Sequence, residues 1–255
     1  MKQSINTVVG IFVFVGIWGI MTPLMAIEDT PTTPEVVTEE EDNDADNHVN
    51  NLINLRLMES YLLTGLELYT YGEMEMAETQ FNQAAEETLS ALQPMLEEKR
   101  LSRPVEAALN HLQTKASDRV SDREMKKAYE DTIDVLHAVE SFIPESERHS
   151  PEFMGEAIST LISKSATEYE MAFEDDQLTD ISKYQKGRNL LATVRNLLYS
   201  EAGNLVEENP EAYREIATLV GKLSAAWPTT MPPSSKVYTA QEVTAMAQEM
   251  EAITP

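Results

Sequence analysis

Apolar residues recur at three- and four-residue steps along most of this chain, the spacing that lines one face of an α-helix. Leu55, Met58, Leu62, Gly65 and Tyr69 form one such stripe, and Gly72 is a natural stop for it. Ala77, Phe81, Ala84, Thr88 and Met95 continue the pattern on a second helix. Pro104 opens a third, with Val105, Ala108, Leu112 and Ala116 facing inward. Ser121 and Glu124 make a capping-box pattern ahead of the stripe Met125, Tyr129, Ile133, Leu136, Val139. Ser150 followed by Pro151 reads as an N-cap with proline at the first helical position, and Ile158, Ile162, Tyr169 and Phe173 carry that helix's inner face. After a break near Asp175 to Thr179 comes the stripe Ile181, Tyr184, Arg188, Leu191, Val194, Leu198. Pro210 begins a further helix through Tyr213, Ala217, Val220 and Leu223. The loop "WPTTMPPSSKVYT" then leads to a short last helix, where Thr239 and Glu242 repeat the capping-box spacing. No segment sustains the two-residue alternation of a half-buried strand. The pattern predicts an all-α helical bundle of about seven or eight helices.

The hairpins expected at about 50–96 and 153–200 look like rough copies. Each has an aromatic-bearing helix, an acidic break, and a second helix with an aromatic in "TQFNQA" or "SKYQKG". The expectation is two pseudo-symmetric hairpins with the 103–145 helix pair between them.

Ahead of the helical region, residues 1–26 read as a signal peptide: Lys2, an apolar run from Val8 to about Met21, then small and turn residues ending at Ala26. Uncleaved, residues 8–27 would serve as a membrane anchor. Either outcome places the body in the periplasm or otherwise outside the cytoplasm. Residues 27–47 hold nine acidic residues, two prolines and no Lys or Arg, which predicts a disordered acidic linker. Residues 48–255 then form a single helical-bundle domain.

Charge and composition narrow the function. The formal charge is −25, from 19 basic and 44 acidic residues, so nucleic acid and anionic membrane surfaces are repelled over most of the surface. Cations or basic proteins are the electrostatically sensible partners, which points to a divalent cation or an envelope protein. With no cysteine, disulfides, thiolate metal sites and cysteine catalysis are excluded. There is no H-E-x-x-H, no phosphate-cradling glycine loop and no G-x-S-x-G elbow, so an enzyme is not expected.

Two motif readings remain. Counted from Gly65 as the eighth position, Leu68, Ala77, Phe81 and Ala84 fall where a tetratricopeptide repeat alternates small and large residues. No second match follows at that period, so a close-packed hairpin resembling one repeat is expected, and an interaction scaffold with no metal role is the alternative function. The segments "YLLTGLELY", "QFNQAAEETL", "ATEYEMAFEDDQL", "KYQKGRNLL" and "WPTTMPP" resemble, in order, a family of exported bacterial all-helical proteins. That family's pattern is G-H-L-x-x-G-x-E-L-Y, H-F-x-H-P-x-x-E, E-Y-x-x-A-V-x-D-G and E-Y-Q-D-A-R-G-F. More distantly, the set is similar to imelysin-like proteins and the periplasmic helical modules of iron uptake systems. Taken with the acidic charge and the export signal, the resemblance implies an exported binding protein of the cell envelope with a metal-cation-handling role. It points to Glu67, Glu87 and Glu168 as candidate metal ligands, supported by Tyr169, Tyr184 and Arg188, against the plainer reading that these glutamates lie on stripe edges, solvated or paired with Arg188. Where the pattern has histidines, this chain has Tyr61, Gln80 and Gln83, which either removes the site or shifts it toward hard cations such as Ca²⁺.

Overall fold

Helix boundaries follow from local chemistry that is legible residue by residue. Gly72 takes φ +84°, a left-handed conformation that costs glycine nothing, and it ends α1 (Glu39–Thr70) before α2 (Met74–Glu98). Helices α2 and α3 (Ser102–Ser117) also close through left-handed residues, but there arginines carry them: Arg100 at φ 60° and Arg119 at φ 52°. At α4 (Asp122–Glu140) the Glu124 carboxylate accepts from both the Ser121 amide (3.2 Å) and its hydroxyl (2.7 Å). At α10 (Ala240–Glu251) the box is reciprocal: Glu242 N–H donates to the Thr239 hydroxyl at 3.2 Å, and Thr239 N–H donates to the Glu242 carboxylate at 2.7 Å.

The computed structural model describes residues 39–253 except 175, 176, 234 and 235, with side chains from Asn47 onward. The expected signal peptide and residues 27–38 of the expected linker lie outside the described residues. From Glu39 the chain is already helical, so α1 begins inside the stretch read as a linker. The physical reason is that acidic residues are favourable in the first turns of a helix, and elongation of a helix anchored by packing adds one hydrogen bond per residue.

Among the described residues there are ten α-helices and one two-residue hairpin, β1 (Phe173–Glu174) with β2 (Gln177–Leu178), antiparallel with Phe173 opposite Leu178. The all-α expectation holds. The helices exceed the expected seven or eight through two short ones, α5 (Glu145–Arg148) and α8 (Ala202–Glu208), which are too brief to show a stripe.

The helices close into two rings of four. In the first, α1 packs on α2, α2 on α3, α3 on α4 and α4 back on α1. In the second, α6 (Pro151–Ala172) packs on α7 (Ile181–Ser200), α7 on α9 (Pro210–Leu223), α9 on α10, and α10 back on α6. The pair expected between the hairpins is thus the closing half of the first bundle. Helix α1 also packs along α6 and α7, so it belongs to both cores. Tyr61, Leu62, Leu68 and Tyr69 are accordingly buried.

Each hairpin has one point of very close approach. A Cβ added at Gly65 would collide with the Phe81 ring of α2, and one at Gly187 would meet the Ser165 carbonyl and Trp227 at 3.0 Å. Ala77, Phe81 and Ala84 are buried around the first contact, as the small-large-small pattern predicts.

Candidate functional site

Helix α7 brings the positive charges of the centre. Asp180 caps it, its carboxylate accepting from the amides of Ser182 (2.9 Å) and Lys183 (3.2 Å). Lys183 and Lys186, one helical turn apart, then face α2 and α6. The Lys186 ammonium lies 2.5 Å from Glu87 of α2 and 2.8 Å from Glu168 of α6, and the Lys183 ammonium is 3.4 Å from the other Glu168 oxygen. The Glu168 and Lys186 side chains are 9% and 12% exposed, while Glu87 at 35% forms the outer rim. Tyr61 of α1 closes the inner side, its ring centroid 5.4 Å from the ammonium.

Charge compensation is close throughout. Burial works to lower the Lys186 pKa, but hydrogen bonds to Glu168 and Glu87 more than offset it, and the pKa sits above its ordinary value. For Glu87, burial works to raise the pKa, yet the Lys186 hydrogen bond, the Tyr61 phenol and the charge of both lysines hold it below the ordinary value. Burial first, and then Glu87 and the charge of Glu168, push the Tyr61 phenol up. Its hydroxyl leans toward Glu87 without a bond of full hydrogen-bond geometry.

The three predicted carboxylates fall into two ion-pair groups. Glu87 and Glu168 meet at Lys186, whereas Glu67 pairs with Arg188 at 2.8 Å and accepts from the Thr230 hydroxyl. Arg188 also donates to Asn189 Oδ1 at 3.2 Å, and Asn189 donates to the Ser60 carbonyl at 2.7 Å, tying α7 to α1. The supporting tyrosines lie elsewhere and fasten the proline-bearing loop. Tyr184 donates to the Thr229 carbonyl at 3.1 Å, and Tyr169 to the Tyr238 carbonyl at 2.9 Å. Trp227 stands edge-on to Tyr169, with centroids 4.8 Å apart. Burial pushes both phenols up to about 12.

Tyr61, Gln80 and Gln83, which stand where the resembled pattern has histidines, all face the same turn of α7. Gln80 donates to Gln185 at 3.5 Å, Gln83 donates to the Ser182 hydroxyl at 3.4 Å, and Tyr61 covers Lys186. The residues that the sequence reading passed over are Lys183 and Lys186. The available signal was the crowding of Lys183, Lys186 and Arg188 into six positions of a chain with only 19 basic residues.

A second cluster lies between α1 and α4. Glu59, His137 and Glu140 bring donor atoms within 4.8 Å of one another. Arg56 already occupies it, 2.8 Å from Glu59 and 2.5 Å from Glu140, so the two carboxylates are compensated from within the chain.

No curated protein and no solved structure matches the chain. A protein-family model matches residues 144–254, which run from α5 to α10 and hold the second ring of four helices with Glu168, Lys183, Lys186 and Arg188. That part of the chain is similar to the iron permease-associated 4-helix bundle domain.

Proposed function

We propose that this is an exported, non-enzymatic helical protein that works beside an iron permease in the cell envelope and handles metal cations there. The observation that carries the reading is the likeness of residues 144–254 to the iron permease-associated 4-helix bundle domain. Two further features support it. The −25 formal charge concentrates cations near the surface, and the apolar run from Val8 to Met21 is of the kind that directs a chain out of the cytoplasm. Among the described residues no helix is long and apolar enough to cross a membrane, so a role beside a permease would rest on docking or on the segment before Glu39. The missing nucleophile, glycine-loop and metalloprotease patterns favour binding over catalysis.

A second reading is an interaction scaffold with no metal role. It is favoured by the compensation of Glu67, Glu87 and Glu168 by Arg188, Lys186 and Lys183. Elemental analysis of untagged protein, purified from the envelope without added metal, separates the two. Cation handling predicts iron or another divalent metal above a protein-free control, and a melting temperature that rises with added metal. A metal-free protein whose melting ignores every divalent ion favours the scaffold.

A further inference from the structure

We propose that Glu168, Glu87 and Tyr61 frame a cation position for which the chain's own Lys186 ammonium and an oxygen-preferring divalent cation compete, so that uptake there is weak and reversible. The inference rests on the cation-handling reading and adds to it a location and an internal competitor.

The donor set is complete enough to be a site once the ammonium is set aside. Both Glu168 oxygens are engaged only by lysines, at 2.8 Å from Lys186 and 3.4 Å from Lys183, and the second oxygen has no hydrogen bond. Glu87 contributes an oxygen from the rim. The independent observation is a buried neutral oxygen without a full hydrogen bond. Tyr61 is 1% exposed, and its hydroxyl leans toward Glu87 but makes no bond of full hydrogen-bond geometry. Unpaired buried polar atoms are uncommon and costly, and they call for a ligand or another explanation. Every donor is an oxygen, with neither imidazole nor sulfur, which selects hard cations such as Mn²⁺, Mg²⁺ or Ca²⁺ and disfavours soft ones.

Charge then sets the competition. A divalent ion in place of the Lys186 ammonium balances the two carboxylates once Lys183, 3.4 Å from Glu168, also turns outward. The four-carbon stem of Lys186 can carry its ammonium outward past Glu87, whose side chain is 35% exposed. Because the ammonium must be displaced first, the affinity of the wild type falls below that of the same oxygens without it. An accessory protein that passes a cation onward needs such reversibility.

Titration calorimetry with Mn²⁺ on the full chain tests this. Lys186→Met is expected to bind one Mn²⁺ about tenfold or more tighter than wild type, a wild-type signal below detection counting toward the same result. Lys186→Met combined with Glu168→Gln is expected to lose that tight site. Equal affinity in Lys186→Met and wild type, or a tightened site that survives Glu168→Gln, overturns the proposal. Lys186→Met leaves two carboxylates without their ammonium and can fail to fold, so a second measurement uses wild type alone. Substoichiometric Mn²⁺ should broaden the amide NMR signals of Tyr61, Glu168 and Lys186 before others, and uniform broadening over the acidic surface overturns it. Metal found in envelope-purified protein together with an unchanged Lys186→Met would leave the permease-associated reading standing and sink only this site.

Discussion

Lys186 and Phe81 show at the residue scale how differently a nearly buried charge and a buried ring hold the fold. The Phe81 ring fills the notch opposite Gly65 and is 1% exposed, so Phe81→Ala should cost about 3–5 kcal/mol in chemical denaturation. A loss under about 1 kcal/mol would mean that the neighbouring helices collapse into the space without penalty. Lys186 stabilises by charge instead, and Lys186→Met should cost roughly 3 kcal/mol, because breaking a nearly buried ion pair leaves the partner carboxylates uncompensated. The pH dependence follows with opposite signs at the two partners. Glu87 is held below its ordinary value near 4.5, so its contribution is present above that value and fades as pH falls through the lowered folded one. Lys186 is held above its ordinary value near 10.5, so its contribution is present below that and fades only as pH rises through the raised one. Glu87→Gln should therefore flatten the acid limb of a melting-temperature profile and leave the profile near neutral pH almost level with its own maximum. A mutant whose acid limb matches wild type would show that Glu87 gains nothing from Lys186.

Elements were legible in this sequence to the extent that their determinants are local. Gly72, the Ser121–Glu124 and Thr239–Glu242 boxes, and Ser150 before Pro151 each act within four residues, and each stands at the helix boundary it announced. Gly65 opposite Phe81 was legible too, because a small residue must face a large one where helices approach closely. What did not show was the partner of each charge. Glu168 and Lys186 lie on successive helices, but Glu87 comes from nearly a hundred residues earlier, and no periodicity encodes which carboxylate a lysine will reach. The grouping of Glu67 apart from Glu87 and Glu168 is a consequence of Arg188 standing two positions beyond Lys186, which turns it toward a different part of α1. The closing of α3 and α4 onto α1 and α2 was hidden for the same reason. Helix termini also carry a prediction: Arg119 sits at φ 52°, a conformation that costs a side-chain-bearing residue about 1–2 kcal/mol. Glycine relieves that at an unfolded-state cost of roughly 0.5–1 kcal/mol, so Arg119→Gly should be neutral to stabilising by about 1 kcal/mol. Destabilisation beyond that would show the arginine side chain itself to be needed at the α3–α4 turn.

For the whole molecule, the decisive question is whether the second bundle is independent of the first. Residues 144–254 are similar to a domain described as a 4-helix bundle, and their size is ample for a core of their own. Yet part of the surface that α7 presents to α1 and α2 is polar and specifically paired. Asn189 donates to Ser60, Arg188 to Glu67, Lys186 to Glu87, and Gln80 donates to Gln185. Tyr61 lies against Lys186, shielding it from water. Removing residues 1–143 would return these groups to water, which satisfies them, but would also expose the apolar surface of α6 and α7 that α1 covers. Solvation of the polar groups predicts that the isolated bundle stays helical, and loss of apolar cover predicts that it is less stable. The fragment 144–255 should show helical circular dichroism, melt cooperatively, and do so at least about 10 °C below the full chain, the shift expected for a loss of a few kcal/mol in a domain of this size. The full chain should melt in one transition, because α1 closes the first ring and also packs along α6 and α7 of the second, which couples the two bundles. Two resolved transitions in the full chain, with the upper one matching the fragment, would mean that α1 belongs to the first bundle alone. The carboxylates of α1 and α2 would then be free to part from α7, and Glu87 could not act with Glu168 on a single cation.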